Sequence, residues 1–291
     1  MTARIIDGDV VASDVRAEVA SAVEGLCASG RQKPTLAALL VGNDPASETY
    51  VRLKRRDCAE VGITSVLVRL PATASEEQIL SVVQDLNADE SIDGVIVQKP
   101  LPESVDAVLI DSVLAPSKDV DGTGPTNLGL LVRGYPSFIP ATPAGIQQLL
   151  VRSKIDIQGM QVVIVGRSIL VGRPLALVLS AKNEGANATV TLVHTGTSDL
   201  RSITRQADIL VTAAGQLNLI TADMIQPGAV VIDVGMNRID DASKRTGYRL
   251  SGDVDFEAVK EVAGAITPVP GGVGPMTRAM LLVNTLKAAQ V

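Results

Sequence analysis

The stretch VVIVGRSILVGRP, Val162–Pro174, decides the fold. It runs from an apolar strand through a glycine turn into the start of a helix. Gly166 stands where the strand ends. Gly172 and Pro174 stand where the helix begins, and proline suits a first helical turn. In a Rossmann-like fold this is where backbone N–H groups and a helix N-terminus meet a pyrophosphate. The spacing is G-R-S-x-x-V-G, not G-x-G-x-x-G. By itself it reads either as a cofactor turn or as a tight strand–helix turn. The next strand, TVTLV, ends in His194, Thr195, Gly196 and Thr197, with no acid before Asp199. An NAD site usually places Asp or Glu at that strand end, about 20 residues on, for the ribose 2′-hydroxyl. Arg167 and hydroxyls without a carboxylate suit a 2′-phosphate, which favours NADP over NAD. His194, the single histidine, reads as a cofactor contact or as a plain loop residue.

Working outward, apolar runs alternate with amphipathic segments. The strand pattern falls on Thr35–Val41, Thr64–Leu70, Gly94–Gln98, Gln161–Val165, Thr189–Val193, Asp208–Ala213 and Ala229–Val234. Helical patterns fall on Asp14–Ala28, Ala46–Val61, Ser75–Asn87, Thr142–Ser153, Pro174–Lys182 and Gly274–Ala289. Two successive rounds of strand–helix alternation predict two α/β units with mostly parallel sheets. Leu114–Pro143, rich in Gly and Pro, reads as the connection between them. Thr267–Pro275 reads as a second crossing, after which the last helix returns to the first domain. The expected division is residues 1–141, completed by 274–291, and residues 142–273.

Composition agrees with this class. The 291 residues suggest roughly two domains. Hydrophobic residues make up 46% and aromatics 2%, so the core must be aliphatic, as in buried parallel sheets. A net charge of -6 argues against a general nucleic-acid binder. Cys27 and Cys58 fit no metal or disulfide pattern and read as reduced thiols, and no metal site is expected. The N-terminal segment lacks an apolar signal core, and no run reaches the ~18 apolar residues of a membrane span. A soluble, cytoplasmic protein is the expectation.

The first half carries a second constellation, DPASETYVRLKRRDCAEVGI, Asp44–Ile63. Tyr50 and Lys54 are i and i+4, so they share one helical face. Arg52, Arg55 and Arg56 crowd the same segment, and a solvated basic face is one reading. The other is a lysine with a lowered pKa, poised to carry a proton near neutral pH. Gln98 ends a strand in GVIVQKPLP, and PSKDVDG packs Lys118, Asp119 and Asp121 into a loop. Such strand ends are where α/β sheets bind ligands. AAGQ, Ala213–Gln216, and DVGMNR, Asp233–Arg238, follow later strands, whose ends line the cleft of a doubly wound sheet; Asp233 and Arg238 read equally as structural or cofactor-contacting.

Taken together, ETYVRLK, DGVIVQKPLP, PSKDVDG, ATPAG, VGRSILVGRP, VIDVGMNR and TPVPGGVGPMT stand in register across nearly the whole chain. The set resembles the bifunctional methylenetetrahydrofolate dehydrogenase/methenyltetrahydrofolate cyclohydrolase family. The resemblance implies two α/β domains around a cleft, the second a Rossmann-like NADP domain, in a homodimer acting on tetrahydrofolate derivatives, including polyglutamylated ones. It implies that Lys54 moves the proton of the cyclohydrolase step, that Tyr50 stacks on the folate, that Gln98 tunes Lys54, and that Asp121 holds the pterin amino edge. Val51, Pro100, Leu101, Pro270, Gly271 and Gly272 are further implied folate contacts. Gly166, Arg167, Ser168, Gly172, His194, Thr195 and Asn237 are implied at the cofactor. Three positions depart from the family pattern: Lys99 stands where Leu is common, Ala141 where Cys is common, and Thr195 where Ser is frequent. The rival readings are a dehydrogenase with impaired cyclohydrolase, a non-catalytic NADP- or folate-binding protein, and another two-domain NADP dehydrogenase acting on a small hydroxy acid.

Overall fold

The computed structural model describes residues 2–244 and 247–290. The chain forms two compact units, Ser13–Ala141 with Arg278–Val291, and Met1–Ala12 with Thr142–Thr277.

The first unit is built on β2 (Thr35–Val41), β3 (Thr64–Leu70) and β4 (Gly94–Val97), all parallel in the order β3-β2-β4. The central strand TLAALLV is buried at six successive positions, because a parallel strand covered on both faces has no polar side. Its alternate residues serve two cores. Leu36, Ala38 and Leu40 join Val19 and Val23 of α1 (Gly8–Ala28), Val51 and Cys58 of α2 (Pro45–Glu60), and Leu281, Leu282 and Leu286 of α10 (Val273–Ala288). Ala37, Leu39 and Val41 join Ile79, Val83 and Leu86 of α3 (Glu76–Ala88) and Ile110 of α4 (Ala107–Val113). Each fully buried Leu or Ile stabilises the fold by about 1.5–3 kcal/mol in transfer terms. α2 starts where Asp44 accepts from the Ser47 amide at 2.8 Å, followed by Pro45 in the first turn. α3 starts with a reciprocal capping box between Ser75 and Gln78. The segment expected as a connection contains α5 (Pro125–Val132), and it lies within this unit.

The second unit holds a six-stranded parallel sheet in the order β1-β11-β8-β7-β5-β6. Its strands are β1 (Arg4–Ile5), β5 (Gln161–Val165), β6 (Thr189–Val193), β7 (Ile209–Thr212), β8 (Val230–Asp233) and β11 (Ala265–Ile266). The expected division placed the first residues with the first domain. The structure groups residues 1–12 with the second unit instead, because Arg4 and Ile5 pair with Ala265 and Ile266. The unit also contains α6 (Ala141–Arg152, most of its length), α7 (Gly172–Ser180), α8 (Leu200–Thr204), α9 (Phe256–Val259) and the antiparallel hairpin of β9 (Asn237–Asp240) and β10 (Tyr248–Ser251). Among the described residues no helix is long and apolar enough to cross a membrane.

Candidate active site

Topology locates two sites before any side chain is considered. In the first unit the chain moves from β2 to β3 on one side and later to β4 on the other. In the second it moves from β5 to β6 and then back across to β7. Each reversal leaves a crevice beyond the carboxyl ends of the strands, where α/β sheets bind ligands.

At the first crevice, Gln98 follows β4, and its amide still donates to Leu39 O at 2.9 Å, which extends the ladder. Lys54, on α2, donates from Nζ to Gln98 Oε1 at 3.2 Å, and Gln98 Nε2 donates to Lys99 O at 2.8 Å. The second bond fixes the amide so that its oxygen faces the lysine. Burial of the ammonium lowers the Lys54 pKa from its ordinary 10.5, while the charge of Asp121 opposes the fall. A neutral amide oxygen cannot hold a cation as a carboxylate would, so this partner leaves the lysine free to lose its proton. Tyr50 is half-buried one turn earlier on α2, and Asp121 is half-buried beside the fully buried Val120. Burial, with the neighbouring Asp57 charge, pushes the Cys58 thiol up to about 12, so it is inert at neutral pH.

Several neighbours have structural duties. The buried Asp119 accepts from the amides of Gly122 and Gly124 and from Asn127 Nδ2, which shapes the loop that carries Asp121. Lys118 donates to the carbonyls of Leu86 and Asp89 at the end of α3. The Val51 side chain is 2% exposed and belongs to the core. Leu101 packs partly against the second core cluster, and Pro100 is exposed after a cis peptide bond. Lys99, the departure beside Gln98, turns its ammonium to Asp111 at 2.8 Å. Its charge is therefore spent on α4.

At the second crevice a cavity of about 460 Å³ is lined by Gly166, Arg167, Ser168, His194 and Thr195, together with Ala213, Ala214 and Gln216. Gly166 has φ +125, and a Cβ there would lie 2.2 Å from Ala213 O. A Cβ on Gly172 would lie 2.0 Å from Gly166 O. Only glycine fits either place. α7 follows Val171 without a side-chain cap, but the Arg173 amide already donates to Ser168 O at 3.1 Å and Pro174 has no N–H, so of its first three residues Gly172 is the one with an amide to offer an anion. The Gly196 amide donates to His194 Nδ1 at 3.0 Å. The neutral ring then carries its proton on Nε2, which stands 3.3 Å from Arg167 Nη1. Two donors facing each other without an acceptor fit a phosphate oxygen. Asp199 accepts from the Ser202 amide at the start of α8, so the first acid after β6 serves as a helix cap.

Other expected contacts are committed elsewhere. Asn237 donates to Gly252 O at 3.1 Å and Asp253 Oδ1 at 3.0 Å, and it does not line this cavity. Arg238 lies 4.4 Å over the Tyr248 ring. Asp233 is buried and accepts from the amides of Gly235, Asp253 and Val254. Burial raises its carboxyl to about 6 against those bonds, and the Asp253 charge adds to the rise. Gly271 accepts from the Gly8 amide at 2.8 Å, and a Cβ on Gly8 would lie 1.8 Å from Gly272 O. The stretch after Pro270 is thus shaped by its own packing on the start of α1.

Family models carry the assignment. Residues 6–121 match the tetrahydrofolate dehydrogenase/cyclohydrolase catalytic domain, and residues 140–291 match the NAD(P)-binding domain of the same family. The chain belongs to the tetrahydrofolate dehydrogenase/cyclohydrolase family. It is 54% identical over 289 residues to the bifunctional protein FolD of Salinibacter ruber, covering 99% of this chain and 96% of that protein. The crystal structure of the Campylobacter jejuni bifunctional enzyme superposes with a TM-score of 0.92 at 43% identity, covering 98% of each chain. The Trypanosoma brucei dehydrogenase-cyclohydrolase, solved with NADP and an inhibitor, superposes with a TM-score of 0.93 at 40% identity, covering 100% of this chain and 98% of that one. The catalytic-domain match covers Lys54, Gln98 and Asp121, and the NAD(P)-binding match covers the 460 Å³ cavity. Motif reading reached Lys54, Gln98, Arg167 and His194. It also marked AAGQ, Ala213–Gln216, as a strand end lining the cleft, and it passed over Asp253, which gives no signal of its own.

Proposed function

We propose that this chain oxidises methylenetetrahydrofolate to methenyltetrahydrofolate with NADP⁺ and then hydrolyses that product to formyltetrahydrofolate, with Lys54 moving the proton. The observation that carries the reading is the half-buried Lys54 amine, lowered in pKa and bonded to the neutral Gln98 oxygen at 3.2 Å. Bound NADP⁺ supplies the acceptor for the hydride that leaves the methylene carbon. Gly166 and Gly172 would give the backbone its close approach to the dinucleotide, and Arg167 with His194 would hold a phosphate.

In the second step water adds to the cationic methenyl carbon, and neutral Lys54 takes one of its protons. As the carbinol oxygen loses its other proton, the C–N bond breaks and the departing ring nitrogen gains one. One proton is released overall. Gln98 keeps Lys54 aimed, burial favours its uncharged form, Tyr50 offers the flat folate ring a surface, and Asp121 accepts from its amino group. Positioned proton transfer of this kind is worth about 10²–10⁴ in rate. The family likeness also supports a homodimer in the cytoplasm that accepts polyglutamylated folates. Sedimentation and polyglutamate competition test those points.

The deciding experiment is a coupled assay with methylenetetrahydrofolate and NADP⁺ on wild type and Lys54→Ala, following NADPH and the methenyl product separately. Wild type is expected to release NADPH with little methenyl build-up, and Lys54→Ala to accumulate the methenyl compound. Normal hydrolysis by Lys54→Ala removes the lysine from the mechanism. A wild type that reduces no NADP⁺ overturns the dehydrogenase reading.

A further inference from the structure

We propose that Asp253 is a positioning residue for the dinucleotide, acting through the Ala213–Gln216 turn. The inference rests on reading the cavity beyond β5 as the NADP site. That turn follows β7, and Ala213, Ala214 and Gln216 line the same cavity as Gly166 and Arg167. Ala213 N still donates to Val165 O of β5 at 2.7 Å, and the next two amides turn to a side chain instead. Asp253 Oδ2 accepts from both Ala214 N at 2.7 Å and Gly215 N at 2.9 Å. Asp253 Oδ1 accepts from Asn237 Nδ2 at 3.0 Å. The residue is 0% exposed, so water cannot replace any of these bonds.

Asp253 is itself held firmly. Its amide donates to Asp233 Oδ1 at 3.0 Å, and its carbonyl accepts from Ile220 N at 3.0 Å. The backbone at Gly235 comes so close that a Cβ would sit 2.3 Å from Asp253 Oδ1. Asp233 accepts from the Thr212 hydroxyl at 3.1 Å, at the end of β7 itself. The carboxylate therefore transmits a fixed position from β7, β8 and the hairpin to one wall of the cavity. The wall touches the cofactor; Asp253 does not.

The test is Asp253→Asn. An asparagine can turn its oxygen to the two amides only by aiming its own NH₂ at the Asn237 NH₂, or the reverse. One donor–donor clash results either way. Its KM for NADP⁺ is expected to rise about 10-fold, equivalent to about 1.4 kcal/mol. The kcat at saturating NADP⁺, and hydrolysis of supplied methenyltetrahydrofolate, are expected to stay within about 2-fold, since the hydrolytic step needs no dinucleotide. The paired change Asp253→Asn with Asn237→Asp reverses the donor and acceptor and is expected to recover part of the affinity. Unchanged NADP⁺ affinity overturns the proposal. So does a parallel loss of both activities together with Tm, which marks a merely structural role. Arg167→Ala separates the two readings. If it leaves NADP⁺ binding intact, the cavity assignment fails; if it weakens binding and Asp253→Asn does not, only the positioning role fails. Should Asp253→Asn not fold, Asn237→Ala removes one bond and keeps the charge. A 2- to 5-fold weaker NADP⁺ affinity is then expected, and no change overturns the proposal.

Discussion

Asp57 lies one turn beyond Lys54 on α2, and its carboxylate is 1% exposed. Its Oδ2 accepts from Arg278 Nε on α10 at 2.6 Å, and the Arg278 side chain is 13% exposed. Oδ1 accepts from Arg56, whose side chain is 64% exposed. Asp57→Asn keeps the shape and removes the charge. The Arg56 contact is solvent-screened and contributes little. The Arg278 contact is different, because the substitution leaves a buried guanidinium without its counter-charge. Breaking one side of a buried pair costs about 3–5 kcal/mol, and the low end applies because Arg278 keeps some water. At about 3 °C per kcal/mol for a unit of this size, the melting temperature should fall by about 10 °C. Calorimetry at neutral pH reads the fall directly. Arg278→Met combined with Asp57→Asn should cost less than the two singles added, with a coupling of about 1–3 kcal/mol. The cyclohydrolase rate measured below the transition should drop in Asp57→Asn as well, since α10 steadies the helix that carries Lys54. A melting shift under 3 °C, or strict additivity in the double variant, would refute the reasoning.

Further outcomes follow from single contacts. Gly172→Ala places a methyl 2.0 Å from Gly166 O, so NADP⁺ binding should be lost while supplied methenyltetrahydrofolate is still hydrolysed; retained NADP⁺ titration sinks the cradle argument. Because the Lys54 pKa is lowered below 10.5, the cyclohydrolase kcat should rise with pH about a midpoint below that value. Asp121→Asn, which removes the charge that opposes the lowering, should move the midpoint further down, and an upward move contradicts the assignment. The same group bears on stability. The unfolded chain binds more protons than the fold between the lowered value and 10.5, so this contribution improves as pH rises through that window. Lys99→Leu removes a half-exposed pair with Asp111 and should cost about 0.2–1 kcal/mol with the cyclohydrolase rate nearly unchanged; a large change would mean that Lys99 acts on Lys54 after all.

Much of this molecule was determined by local sequence. TLAALLV, TSVLVRL, QVVIV and TVTLV are strands over the residues their pattern predicts: the central TLAALLV and QVVIV are apolar because both faces are covered, and the edge strands TSVLVRL and TVTLV carry exposed positions. The Tyr50–Lys54 spacing and the glycines of VGRSILVGRP were likewise legible, since helical geometry and the exclusion of a Cβ act within a few residues. Tertiary structure decided the rest. β1 is two residues long and exists only because Ala265 and Ile266 lie beside it; no periodicity can show that. Asp119 and Asp121 are chemically identical in the sequence. Only the positions of Gly122, Gly124 and Asn127 commit the first to the loop. Lys99 is a cation beside Gln98 in the chain, yet Asp111 draws its charge away. Asp253 gives no sign in GDVDF that it holds a turn 38 residues earlier. Local pattern sets which faces are apolar. Which polar groups meet across the fold is set by the packing of those faces, and a side chain's duty depends on the partner it meets there.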